Sequence, residues 1–355
     1  MLFNQSYIHT NILFKFPGYV NVYTFPLFFA IYRAMYIDKS CNIIQAELYL
    51  LISFLRTMET QIILKTDFPT LELVKRGKVR DIYDVGEYFL IVSTDRLSAF
   101  DVIMAQGIPY KGKVLNKISE FWFNFSKDII TNHLISTNLK DFPPECRKYA
   151  DELEKRSMLV KKAEVIPIEC IVRGYLSGSG WNDYNKTGKI SGIELPSEFV
   201  ESEKLENPVF TPSTKAEIGL HDQNISFSDA EKITNRINLE KMENAAIEVY
   251  KAASDYALSK GIIIADTKME FGLLEDSIIL VDELLTPDSS RFWPVALYNK
   301  GKIQESYDKQ FVRNYLLSIN FNKQSPPPIL PEEIIQKTSE KYLEVLFKLT
   351  GEKLE

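Results

Sequence analysis

The segment Gly261–Trp293, GIIIADTKMEFGLLEDSIILVDELLTPDSSRFW, constrains the fold more than any other part of the chain. It opens on an apolar run, Ile262 to Ala265, and then sets Asp266, Lys268 and Glu270 at alternate positions. On a strand, residues two apart share a face. One side of an otherwise apolar ribbon therefore carries a carboxylate, an ammonium and a second carboxylate. The polar Glu275-Asp276-Ser277 reverses the chain into another apolar run that ends in Asp282 and Glu283. With those three residues as the loop, Leu274 pairs with Ile278 and Glu270 falls opposite Asp282. Cross-strand partners lie roughly 5 Å apart at Cβ, which lets both carboxylates grip one hard cation. Acidic residues in a hairpin usually form its solvated face, and an internal salt bridge is the plainer alternative here. These strands are too apolar to be one-sided, however, and buried charge without a partner is costly. A Mg²⁺–nucleotide site is the favoured reading, because perturbed charges gather at active sites.

At 355 residues the chain can bury a large core in one big domain or two smaller ones. Its formal charge of −6 supplies no positive field for a phosphate backbone, so nucleic acid is not an expected partner. Cys41, Cys146 and Cys170 are scattered and odd in number, which fits free thiols in a reducing cytoplasm better than a disulfide framework. With only His9, His133 and His221 available, a Cys/His zinc site is not expected. Any metal should be oxygen-ligated, which favours Mg²⁺ or Mn²⁺. There is no GxSxG elbow and no Walker GxxxxGK[ST], which excludes the P-loop class.

Residues 1–57 differ from the rest. They hold a 17-residue uncharged run from Phe16 to Tyr32, short for a membrane span and broken by Pro17 and Pro26. A compact basic start and a small-residue cleavage site are both lacking. The segment reads first as an upstream mis-assigned start, with translation beginning at Met58, and second as a targeting extension. Removing its four basic and two acidic residues takes the net charge from −6 to −8. Beyond it, Leu73–Val85 reads as a strand containing Gly77, Gly86-Glu87 as a turn, and Tyr88–Ser93 as a buried strand. Lys117–Ile130 has helical spacing in Phe121, Phe125 and Ile129. Met158–Val160 and Val165–Val172 are further strands, and Trp181–Asn185 is a short helix. Ser228 and Glu231 form a capping box for one helix from Asp229 to about Lys260, stopped by Gly261. Ser325–Pro328 is a stiff linker to an amphipathic helix from Pro331 to Thr350. Mixed strands and helices with frequent hairpins predict an α+β fold.

Six segments carry chemistry. Lys75-Arg76-Gly77-Lys78-Val79-Arg80 places basic residues around a glycine that can lie over polyphosphate. Ser93–Asp101, with Ser98, forms a dense polar stretch directly after a buried strand, where sites are commonly built. The apolar strand IPIECIV, with Glu169 inside it, delivers Arg173 into the turn Gly174–Gly180 ahead of the short helix. A guanidinium and a helix N-terminus aimed at one point make an anion site. Thr211–Glu217 with His221-Asp222, Thr286–Arg291 and Tyr307–Arg313 each read as a capped loop or surface helix. Together the last three bring Lys215, Arg291, Lys309 and Arg313 toward a phosphorylated, carboxylated ligand.

The set IPIECIVRGYLSGS, FTPSTKAEIGLHD, IIIADTKMEFG, LVDELLTPDSSRFW and SYDKQFVR resembles the SAICAR synthetase family, in its longer, yeast-like branch. The likeness runs from about Gly77 to Arg313 with the motifs in the family's order, and more loosely from Met58 to the end. It implies a two-lobed fold related to ATP-grasp, with ATP between a β-rich lobe over 58–164 and an α+β lobe over 165–355. It also implies ligation of L-aspartate to 5-aminoimidazole-4-carboxylate ribonucleotide (CAIR), giving SAICAR, ADP and phosphate in a cytoplasmic enzyme. By motif, Gly77, Lys78, Arg80, Glu169 and Lys268 would meet ATP, and Glu270 and Asp282 would hold Mg²⁺. Asp266, Lys268 and Lys215 would stand at the reacting centre. Ser98, Arg173, Ser179, Arg291 and Lys309 would hold the ribonucleotide. Residues 1–57 and Ser177, where Thr or Ala is expected, depart from the pattern.

The mechanism implied is carboxylate activation: attack on the γ-phosphoryl group gives an acyl phosphate, which the aspartate amine then opens. A kinase-like phosphotransferase is the alternative enzyme, disfavoured because it needs no second phosphate anchor. A non-catalytic nucleotide sensor would need no paired carboxylates, and a membrane-tethered form would rest on residues 1–57 alone. Oligomeric state is not set by these motifs.

Overall fold

Residues 62–215 and 223–354 are described by the computed structural model. The expectations for 1–57 and Met58, and for Glu217, His221 and Asp222, fall outside them. The first strands are β1 (Glu72–Arg76), β2 (Arg80–Val85), β3 (Tyr88–Ser93), β4 (Arg96–Ala99) and β5 (Val102–Gly107). Helix α1 (Lys111–Phe125), β6 (Leu134–Ser136), α2 (Ala150–Leu153), β7 (Ser157–Lys161), β8 (Glu164–Tyr175) and α3 (Gly178–Thr187) follow. Then come β9 (Lys189–Ile190), β10 (Ile193–Glu194), β11 (Lys204–Thr214), α4 (Phe227–Ile233) and α5 (Arg236–Ser259). The chain continues through β12 (Ile262–Leu274), β13 (Ser277–Val281), β14 (Ser290–Pro294), α6 (Gln310–Ser318) and α7 (Glu332–Thr350).

Two antiparallel sheets organise these elements. The first runs β1-β2-β3-β7-β6, the second β11-β8-β12-β13 with β14 also on β12. Sheets with helices packed against them give the α+β class expected from the sequence. Among the described residues no helix is long and apolar enough to cross a membrane.

The second sheet buries one face against α5. Leu239, Met242, Ala246, Val249, Tyr250, Ala253 and Ala257 recur at three- and four-residue intervals and are all buried. They pack in one core with Ile166, Ile168, Cys170 and Val172 of β8 and with Met269 and Phe271 of β12. The even-numbered Ile262 and Ile264 of β12 also belong to that core, whereas farther along the odd-numbered Met269 and Phe271 do. An irregularity in the pairing between Ile264 and Asp266 reverses the alternation. Asp266, Lys268 and Glu270 are thereby turned together onto the face opposite α5.

The structure corrects several sequence expectations. Leu73–Val85 is two strands joined by a turn at Gly77, with Arg76 opposite Asp81. The aromatic helix begins six residues earlier than expected, at Lys111, and ends at Phe125. The long helix is interrupted: Ser226, not Ser228, caps α4, and Asn235 starts α5 by accepting from the Asn238 N–H. An Asn side chain that offers the backbone a local acceptor competes with helix continuation, and here it wins. Thr211–Thr214 runs as strand in β11, buried as far as Ser213, not as a loop.

Gly174 on β8 tests this packing. A Cβ there would lie 2.0 Å from the Tyr250 hydroxyl, which donates to the Ile264 carbonyl at 2.6 Å. Gly174→Ala should cost about 1–3 kcal/mol through overpacking. Urea denaturation with an unchanged midpoint would show that the helix and sheet are not in register as described.

Candidate active site

β12 has a divided edge. Ile262–Thr267 pairs with β14 and Glu270–Leu274 pairs with β13, while β8 runs along the other side. Where β13 and β14 part, the loop 282–289 rises over Lys268, and the Lys268 N–H donates to the Ser289 carbonyl at 2.9 Å. This split sets Asp282, Glu283 and Asp288 beside the charged face of β12.

That face is an ordered array of charges. Asp266 pairs across to Arg173 and Glu270 across to Glu169 on β8. Like charges directly opposite are destabilising, and lysines relieve them: Lys268 donates to Glu169, and Lys215 donates to Glu270. Burial works against the Glu270 carboxylate, but Lys215 and Lys268 outweigh it and hold its pKa down.

The hairpin register differs from the expected one. Leu274 pairs with Ser277 and Glu270 with Val281, so the loop is two residues long and Asp282 lies one place beyond Glu270's partner. A one-residue slip would normally send the side chain to the other face. Asp282 instead leaves the strand in left-handed backbone, φ 68°, and its carboxylate accepts from Arg80 Nη2 at 2.5 Å. Arg80 Nη1 meets Glu283 Oε2 at 2.8 Å. Burial pushes the Asp282 carboxyl up to about 6; Arg80 pulls the other way, while Glu270 and Glu283 add to the rise.

Arg80 comes from the other sheet, at the Gly77 turn. Arg96 fixes that turn: its guanidinium donates to the carbonyls of Gly77 (3.0 Å) and Lys78 (3.1 Å) and to Asp81 (2.7 Å). Lys78 Nζ contacts Asp101 at 2.5 Å. Sheet one and sheet two thus face each other across a cleft of about 880 Å³. Of the residues singled out in the sequence, Gly77, Lys78, Arg80, Ser98, Glu169, Ser179, Lys215, Lys268, Glu270, Asp282, Arg291 and Lys309 all line it.

Asp266 and Arg173 do not line it; they lie beneath its wall. Asp266 accepts from Arg291 Nη1 (2.5 Å), Ser177 Oγ (3.2 Å) and Arg173 Nη1 (3.4 Å). Arg173 also donates to Thr211 Oγ1 and Ser179 Oγ, both at 3.0 Å. The buried guanidinium is therefore consumed by internal partners and positions Ser179. Ser177, the residue before α3, spends its hydroxyl on Asp266 and makes no cap bond. The first amides of α3 are left for an anion, and Gly178 (φ 55°) has no side chain to obstruct Arg291 above it.

Sequence reasoning passed over Asp288 and Glu283 as site residues. Asp288 accepts from Lys111 (2.7 Å) and Tyr342 (2.8 Å) and meets Lys309 at 3.4 Å. Its attachment to α7, 54 residues away in sequence, gave no local signal. Glu283 was visible as an acid beside Asp282, but which sheet it would meet was not.

A model of the SAICAR synthetase family matches residues 73–328. The chain belongs to the SAICAR synthetase family. It is 60% identical over 291 residues to the phosphoribosylaminoimidazole-succinocarboxamide synthase of Geobacter sulfurreducens, covering 82% of this chain and 98% of that one. The enzyme of Geobacter metallireducens is likewise 60% identical over 290 residues. The structure of the Saccharomyces cerevisiae SAICAR synthase complexed with SAICAR superposes with a TM-score of 0.76 at 45% identity, over 82% of this chain and 99% of that one. The chain is accordingly an ATP-dependent carbon–nitrogen ligase of de novo purine biosynthesis, joining L-aspartate to CAIR to give SAICAR. The phosphotransferase alternative gains no support from these relatives.

Asp266 neutralises Arg173, whose side chain is 2% exposed. Asp266→Asn should destabilise the protein by about 3 kcal/mol, because an uncompensated guanidinium is left buried. Denaturant titration giving a loss below about 1 kcal/mol, the scale of an exposed pair, would show that Arg173 does not depend on that carboxylate.

Proposed function

We propose that the ligation takes place in the cleft between the two sheets, which act as the two lobes 58–164 and 165–355, in the cytoplasm. The observation that carries this reading is the convergence of charged residues from both sheets on one cavity of about 880 Å³, large enough for a nucleotide and a second ligand. Its apolar end, formed by Val74, Ile82, Phe89, Val160 and Val165, suits the purine of ATP. The Gly77 turn, Lys78, Arg80 and Lys268 then meet its phosphates.

Carboxylate oxygens from Glu270 and Asp282 suit a hard divalent cation. Burial is the main cause of the rise at Asp282, and the neighbouring Glu270 and Glu283 add to it. No three His, Cys, Asp or Glu side chains form a ready cage among the described residues. Mg²⁺ needs none, since it commonly takes one or two carboxylates with water and phosphate. When bound it would neutralise phosphate charge. Ser179, Arg291, Lys309 and the α3 amides hold the CAIR phosphate, with Ser98 at the opposite wall and Asp266 and Arg173 anchoring the group from below. Lys215 and Lys268 steady the CAIR carboxylate as its oxygen attacks the γ-phosphoryl group, which breaks the bond to the β-phosphate, releases ADP and leaves an acyl phosphate. The aspartate amine then attacks the acyl carbon and expels phosphate. Holding three ligands in one cavity supplies much of the acceleration through proximity.

Glu270→Gln and Asp282→Asn should each lower kcat by about 100-fold or more with the melting temperature little changed. Aspartate-dependent ADP release measures this, and near wild-type kcat in both variants removes the metal assignment. Burial lowers the Lys309 pKa to about 8, with Lys111 and Arg313 acting in the same direction and Asp288 against them. The cationic form that binds an anion exists below that value. KM for CAIR should therefore rise as pH passes 8, and Lys309→Arg should move the rise to higher pH.

A further inference from the structure

Lys111 is the first residue of α1, and its side chain is 0% exposed. Two things make that position costly. An ammonium deprived of water needs a compensating partner, and a cation at a helix N-terminus faces the positive end of the helix dipole. The first turn of α1 holds no acidic residue to offset this. The compensation comes from Asp288, whose Oδ2 lies 2.7 Å from Lys111 Nζ. Tyr342 of α7 donates to Asp288 Oδ1 at 2.8 Å, and the Lys111 ammonium lies 5.9 Å from the centroid of the same tyrosine ring.

Asp288 is thus engaged on both oxygens before Lys309 is counted. Lys309, the residue ahead of α6, places its Nζ farther off, 3.4 Å from Oδ2. Burial works against the Asp288 carboxylate, but Lys111 and then Lys309 outweigh it and hold its pKa down. A structural ion pair is neutral with one cation. Here one carboxylate, its side chain 2% exposed, serves two ammoniums, so the group keeps an excess positive charge. Of the two ammoniums it is Lys309 that lines the cleft, and Arg291 and Arg313 on the same wall add to the positive field. An anion entering the cleft supplies the missing negative charge.

We propose that Lys111 is a positioning residue that neutralises Asp288 from behind the wall, so that Asp288 orients Lys309 without consuming its charge and Lys309 stays available to the CAIR phosphate. The inference rests on the reading of Lys309 as a phosphate anchor. Without the Lys111 ammonium, the carboxylate would be left with one cation and would draw Lys309 back into a closed pair.

The test compares Lys111→Met, the double variant Lys111→Met/Asp288→Asn and Lys309→Met in the full chain. It reads thermal melting together with kcat and KM for CAIR in aspartate-dependent ADP release. Lys111→Met should stay folded, because Lys309 remains to pair with Asp288. Its KM for CAIR should rise about tenfold, the scale of one hydrogen bond to a charged group, while kcat changes less than about threefold. Removing the carboxylate as well releases Lys309, so the double variant should recover most of that loss in KM. A purely structural role for Lys111 predicts the reverse, a double variant at least as impaired as the single one, and that result overturns the inference. Unchanged KM in Lys111→Met, with Lys309→Met still impaired, overturns the role of Lys111 alone. Should Lys111→Met fail to fold, the double variant decides: KM close to wild type supports the inference, and KM raised as far as in Lys309→Met overturns it. Unchanged KM in Lys309→Met removes the phosphate-anchor reading, and the inference with it.

Discussion

The divided edge of β12 is the constraint on which the site depends. A thirteen-residue strand that kept one neighbour along its whole edge would present a flat ladder with no room for a loop. Because β14 takes the first half and β13 the second, the connecting loop has to leave the sheet at Lys268. It carries Asp282, Glu283 and Asp288 out with it. The pairing irregularity after Ile264 does the complementary task of facing Asp266, Lys268 and Glu270 toward that loop and away from α5. Both features are departures from regular sheet geometry, and such departures commonly mark where a sheet has been bent to a purpose.

Much of this was legible in residues 261–293. Alternation gave the shared face of Asp266, Lys268 and Glu270, because period-two geometry is local and strong. The same logic gave Arg173 at the end of an apolar strand and α7 up to Gly351, whose φ of 77° ends that helix. The hairpin register was not legible. Placing the turn at three residues rather than two is a choice of one position, and sequence offers little to decide it. The fate of Asp282 needed more than the register, since its carboxylate is held by Arg80, 202 residues earlier in the chain. Asp266 and Arg173 were each legible as site residues, but the alternation does not say that they would meet each other, or that Arg291 and Ser179 would cover them. The break at Asn235 escaped because a helix pattern on both sides hides a two-residue interruption.

The charge arrangement explains how a net-acidic chain presents a cleft for anions. Four of the cations at the wall are matched to carboxylates: Lys268 to Glu169, Lys215 to Glu270, Arg80 to Asp282 and Glu283, Lys309 to Asp288. A buried pair of this kind adds little net stability, since desolvation offsets most of the attraction. Its value is orientation. The side chains are already ordered, so little rotamer entropy remains to be lost when a ligand arrives.

The same pairing also makes the site selective about what enters. A phosphate alone would have to draw Arg80 or Lys215 away from its carboxylates and leave buried negative charge behind, which is costly. A cation alone would meet the opposite difficulty, competing with Arg80 for Asp282. A ligand that brings both signs at once, such as a metal-bound polyphosphate, exchanges each internal partner for an external one and leaves no charge unmatched. Specificity of this kind arises from the penalty on incomplete ligands as much as from attraction to the right one. It follows from the ion pairs on the cleft wall without requiring any large movement of either sheet.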